Sequence, residues 1–101
     1  MGATMWDDIK RLHEFHGELP LEVRLLKLTE EVGEAAEALI GARGLNPRKG
    51  VCRTQADLLD ELCDVIITAA IAMSAITDGG ADQARVHLEQ RLAVVTARAG
   101  L

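Results

Sequence analysis

Apolar residues recur at helical spacing in four stretches of the chain. Between Met5 and Gly17 they stand at Trp6, Ile9, Leu12 and Phe15, every third position, which predicts a short amphipathic helix with Trp6 and Phe15 in its core face. Gly17 and Pro20 end it. A longer helix follows from about Leu21 to Ala42. Its Leu25, Leu28, Val32, Ala35, Ala36 and Leu39 fall within an arc of roughly 100°, with Glu30, Glu34 and Glu37 on the opposite side and Glu31 at the margin. Gly41, Gly44, Pro47 and Gly50 then break the pattern, while Arg43, Arg48, Lys49 and Arg53 make the same stretch basic, so it reads as a mobile basic loop. Thr54 and Asp57 form a helix-capping pattern that starts a third helix near Gln55, running to about Thr77. From Leu62 onward only Asp64, Thr68 and Ser74 are polar, which predicts a helix enclosed by neighbours, with Cys63 a small core residue. Asp78, Gly79 and Gly80 make a turn. A last helix from Ala81 to Arg98 carries Val86, Leu88, Leu92, Val94 and Val95 as its apolar residues.

Composition narrows this to one all-α domain over residues 1–101, a four-helix bundle-like protomer. The chain is 49% hydrophobic with Trp6 and Phe15 as its only aromatics, so its core is built from aliphatic side chains, which favours packed helices over a β-sandwich. A domain of this size is marginal alone, and self-association is expected. A net charge of −5 is the wrong sign for gripping nucleic acid through its phosphates. Cys52 and Cys63 form no C-x-x-C pair and no signal peptide precedes them, which reads as a cytoplasmic chain with reduced thiols. The longest uncharged run, Val65 to Thr77, is shorter than a bilayer-spanning helix, so no membrane association is expected.

The carboxylates are the informative chemistry. The second helix holds Glu30-Glu31-x-x-Glu34 and the third holds Glu61-x-x-Asp64. Residues three apart are neighbours on a helix surface, so each helix offers a carboxylate pair. Packed antiparallel, the helices would present four oxygen donors to one small volume. Such a group cannot stay ionised in a low-dielectric setting without a cation, and Mg²⁺, with Mn²⁺ as a substitute, prefers these ligands. The competing readings are a solvated face steadied by Lys27 for the second helix, and a structural salt bridge for Asp64. The expected burial of Asp64 among Cys63, Val65, Ile66 and Ile67 weighs toward the cation.

Lys27-Leu28-x-Glu30-Glu31-x-Gly33-Glu34 followed by Glu61-Leu62-x-Asp64-Val65 resembles the E-E-x-x-E … E-x-x-D signature of the MazG-like, all-α nucleoside triphosphate pyrophosphohydrolases. The resemblance covers the second and third helices, about half of the chain. It implies Mg²⁺-dependent attack of water on the α-phosphorus of a nucleoside triphosphate, giving a monophosphate and pyrophosphate, in a homodimer or a homotetramer made of such dimers. By position it implies Glu31, Glu34, Glu61 and Asp64 as metal ligands and Glu30 as a water-orienting base or as a group that supports the ligands from behind. Lys27 is the substrate-binding candidate within the motif, with an intrahelical ion pair as its other role. The last helix lacks the lysine and asparagine that many relatives use to hold phosphates; Arg91 is the candidate substitute there, with Arg85, Arg98 and the basic loop as others. His13 and His16 are assigned no metal. Two other functions stay open: a non-catalytic helical module that dimerises and binds metal or nucleotide, and an enzyme acting on phosphoribosyl-ATP.

Overall fold

The structure, a computed structural model, describes residues 4–101. These form four α-helices and no strand: α1 (Met5–His16), α2 (Leu21–Arg43), α3 (Gln55–Ile76) and α4 (Gly80–Arg98). The boundaries match the sequence pattern to within one residue, because the stop and start signals are local. Thr54 Oγ1 accepts a hydrogen bond from the Asp57 N–H at 3.1 Å, and the Asp57 carboxylate accepts one from the Thr54 N–H at 2.9 Å. This reciprocal cap satisfies two N–H groups that the first turn of α3 would otherwise leave without partners. It also holds the Asp57 carboxyl below the usual aspartate range, through the backbone bond to Thr54 first. Asp7 plays the same part at α1, accepting from the Thr4 N–H at 2.8 Å. α2 ends on Gly44, whose φ of 64° is the left-handed conformation that only glycine adopts without strain.

The chain divides into two compact units. One comprises α1, the end of α3 from Ala70, and α4. In it α1 packs against α4, and Trp6, Ile9, Ala70, Ile71, Ala72, Ala81 and Ala84 are buried. Its buried hydroxyl, Ser74, donates to the Ala70 carbonyl at 2.9 Å. The expectation that Phe15 shares the core with Trp6 fails, since Phe15 is 84% exposed. A spacing of three residues slips by about 60° per step on a 3.6-residue helix, so Phe15 lies half a turn round from Trp6. The apolar residues of α4 from Val86 to Val95 are likewise exposed, and small alanines line its inner side.

The second unit, Pro20–Ala69, holds α2, the connecting loop and most of α3. Gly41 meets Cys52 and Arg53 while Glu31 and Glu34 meet Glu61, so the two helices run antiparallel. The arc of α2 that is covered differs from the expected one. Arg24, Ala35, Ala38 and Gly41 are buried and Glu31 half-buried, whereas Leu25, Val32 and Ala36 stand exposed. The inward face is thus rotated by about 100° from the large aliphatic stripe, onto side chains small enough for close helix approach. α3 shows the same inversion. Leu58, Glu61, Val65 and Thr68 are partly covered, while Leu59, Leu62 and Ile66 form an exposed stripe about 110° round the helix from them. Cys63 is exposed as well, not a core residue. Asp64 is also exposed, so the enclosed third helix expected around it is not found in this unit.

Among the described residues no helix is long and apolar enough to cross a membrane.

Candidate functional site

Three acids come together where α2 meets α3: Glu31 and Glu61, half-buried, and Glu34, exposed. Glu31, Glu34 and Glu61 each offer a carboxylate oxygen, and these oxygens lie within 4.8 Å of one another. Glu31 and Glu34 come from successive turns of α2, and Glu61 arrives from the second turn of α3, placed there by the Thr54–Asp57 cap that fixes where α3 begins. One oxygen of Glu31 and one of Glu61 are out of contact with solvent and accept no hydrogen bond. A buried acceptor without a donor costs free energy, more so when it carries charge.

The electrostatics follow from this crowding. Burial raises the Glu31 carboxyl above the usual glutamate range, and the neighbouring charges of Glu34, Asp64 and Glu61 raise it further. Glu61 is raised in the same way, by burial first, then by Glu34 and Asp64. Arg53 opposes the shift at Glu61, with Nη1 4.0 Å from Oε1, but at the limit of ion-pair distance it does not cancel it. Three hard oxygen donors from two helices, repelling one another, form the kind of donor set that oxygen-preferring divalent cations accept.

Three of the four expected ligands therefore converge. The fourth, Asp64, is one turn beyond Glu61 and exposed; its charge is felt at both Glu31 and Glu61, although it is not one of the three clustered donors. Glu30 is exposed and outside the cluster, as its 100° rotation from Glu31 requires. Lys27 is exposed one turn before Glu31, and Arg91 is exposed on α4 in the other unit.

Sequence reasoning did not single out Arg53, which it treated as one of several loop cations. Its position follows from Gly41: a Cβ there would overlap the Arg53 side chain and stand 3.1 Å from Cys52 Sγ. The glycine in the last turns of α2 therefore lets the entry to α3 lie directly on the helix. The Gly41 carbonyl accepts hydrogen bonds from the Cys52 and Arg53 N–H groups at 3.0 and 3.4 Å. A helical glycine followed by a basic residue just before a capping threonine is the signal that could have pointed to it.

Comparison of the chain with protein-family models, with curated proteins and with solved structures gives no match.

Proposed function

We propose that the chain is a nucleoside triphosphate pyrophosphohydrolase of the MazG-like type, built on a four-helix bundle and dependent on Mg²⁺ or Mn²⁺. The observation that carries the reading is the convergence of Glu31, Glu34 and Glu61, with one buried oxygen each on Glu31 and Glu61 that has no hydrogen-bond partner among the described residues. In this reading those three residues hold the cation, with Asp64 completing the set from the next turn of α3. A bound divalent cation supplies neutralisation of the phosphoryl oxygens and of the leaving pyrophosphate.

The rest is work for the chain's own side chains. The acids make the cleft repulsive to a polyphosphate until their charge is countered, which ties substrate binding to cation binding. Glu30, exposed and free of the cluster, orients the attacking water and takes up its proton. The water oxygen bonds to the α-phosphorus, the bond from that phosphorus to the bridging oxygen breaks, and pyrophosphate departs. Lys27 and Arg91 are proposed to contact the phosphates. The exposed aliphatic stripes Leu25–Val32–Leu39 on α2 and Leu59–Leu62–Ile66 on α3 support assembly as a homodimer or a dimer of dimers, because scattered exposure needs no explanation but contiguous apolar stripes do.

The test is a panel of ribo- and deoxynucleoside triphosphates with Mg²⁺, following pyrophosphate and orthophosphate separately. Pyrophosphate is expected, dependent on the cation. Glu34→Gln and Asp64→Asn are each expected to lower turnover by on the order of a hundredfold or more while the helical content is retained. Undiminished turnover in EDTA, or orthophosphate as the sole product, would refute the proposal.

A further inference from the structure

The end of α2 and the loop that follows it frame a half-open pocket of about 370 Å³, lined by Glu37, Asn46, Lys49, Cys52 and Arg53 among others. That volume lies near the lower end for small-molecule sites. The loop is built, not merely basic. The Asn46 carbonyl accepts hydrogen bonds from the Lys49 and Gly50 N–H groups at 3.1 and 2.9 Å, and its side-chain oxygen accepts one from the Arg48 N–H at 3.0 Å. With that oxygen engaged, the Asn46 amide N–H₂ is left as a donor. Leu45 ties the loop's start to the Ile40 carbonyl, and Cys52 and Arg53 tie its end to the Gly41 carbonyl. The turn thus closes on the last turns of α2.

Two cations and one amide donor meet in this cavity against a single acid, Glu37. Arg53 and Lys49 are the side chains best suited to oxyanions, the first as a planar fork and the second as a compact charge. The cavity also adjoins the carboxylate cluster on both helices. Glu37 is one turn beyond Glu34, and Arg53, which lines the cavity, reaches to 4.0 Å from Glu61. An acid cluster that calls for a cation therefore stands beside a cationic cavity that calls for an anion.

We infer that this cavity is the oxyanion site for the polyphosphate chain of the substrate, with Lys49 and Arg53 as its anchors and the Asn46 amide as a third donor. The inference rests on the hydrolase reading for the identity of the ligand, but on the loop's own geometry for the site. Of the phosphate-binding candidates that the sequence offers, Lys27, the arginines of the last helix and the basic loop, it places the main contacts on the loop. Arg53 is the hinge of the arrangement: it faces Glu61 on one side and the anion site on the other.

The experiment measures binding of inorganic tripolyphosphate to the intact protein by calorimetry, without and with Mg²⁺, for the wild type, Lys49→Ala, Arg53→Gln and Arg53→Lys. Each neutral variant is expected to weaken binding by roughly tenfold to a hundredfold, the scale of one hydrogen-bonded charge, and Arg53→Lys by less. Mn²⁺ binding in the absence of anion, read by electron paramagnetic resonance, is expected to be unchanged in Lys49→Ala. Lys49 is exposed, so that variant carries the test even if Arg53→Gln fails to fold. Equal tripolyphosphate affinity in the wild type and Lys49→Ala would overturn the inference. Affinity that depends on Lys49, in a protein that releases no pyrophosphate from any nucleotide, would uphold the anion site and refute the hydrolase. Pyrophosphate release with a KM unaltered by Lys49→Ala would do the reverse.

Discussion

The two units of this chain differ in the kind of polar group they bury. In the unit of α1, α4 and the end of α3, the interior is Trp6, Ile9, Ile71 and a set of alanines; the buried Ser74 hydroxyl donates to the Ala70 carbonyl, and one ring nitrogen, His13 Nδ1, is buried without a hydrogen-bond partner among the described residues. In the unit of α2 and the start of α3, the covered arcs carry Glu31 and Glu61, each with a buried oxygen that accepts no hydrogen bond. The first interior gathers no like charges, whereas the second holds carboxylates together against their mutual repulsion. Packing of that kind is the reason the proposed site is placed in the second unit.

The contrast is sharpened first by Trp6→Ala. Emptying that position is expected to cost about 3–5 kcal/mol in thermal or denaturant unfolding, while Mn²⁺ binding to whatever remains folded keeps its affinity. A loss of cation binding out of proportion to the loss of folded protein would break the division of labour.

A smaller effect of opposite sign is expected at the acid cluster. Glu31 and Glu61 have carboxyls raised above their ordinary range, so folding favours their protonated forms. Their contribution to stability is complete below the ordinary glutamate range and is lost as pH rises through the raised values. Asp57, lowered by its cap, behaves inversely: its contribution is present above the ordinary aspartate range and is lost as pH falls. Cation-free protein is therefore expected to lose melting temperature as pH climbs above the ordinary glutamate range. Added Mg²⁺ or Glu31→Gln should each flatten that slope. A slope identical in wild type and Glu31→Gln would show that the cluster stores no such repulsion.

The smallest effect concerns Gly33, in the middle of α2, where a Cβ would meet nothing within 4 Å. Within one chain Gly33→Ala should stabilise α2 by about 0.5–1 kcal/mol, since alanine is the better helix former. If a second copy packs closely there, the same change destabilises instead. Melting curves over a range of protein concentrations distinguish the two outcomes.

Where the fold was legible in the sequence, the signals were short in range. Thr54 and Asp57 mark the start of α3 because the cap is made between residues three apart; Gly44 marks the end of α2 because only the backbone at that residue is involved. The acids were legible for the same reason, as helical spacing alone puts Glu31 beside Glu34 and Glu61 beside Asp64. Phe15 was misread because a three-residue repeat drifts round a 3.6-residue helix, and Cys63 and Asp64 because an almost unbroken apolar run was taken to be covered on every side, whereas the covering depends on which neighbours arrive.

Local spacing and capping in the amino-acid string thus determined four helices, their limits and the pairing of carboxylates along each. Only the tertiary structure decided which arcs of α2 and α3 meet: the small and acidic ones, which leaves Leu25, Val32, Leu59 and Ile66 outside. It alone set Arg53 over Gly41 and beside Glu61. The physical reason is that helix geometry is governed by bonds a few residues long. The choice of facing surfaces depends instead on how closely two backbones can approach, a property that neither helix carries by itself.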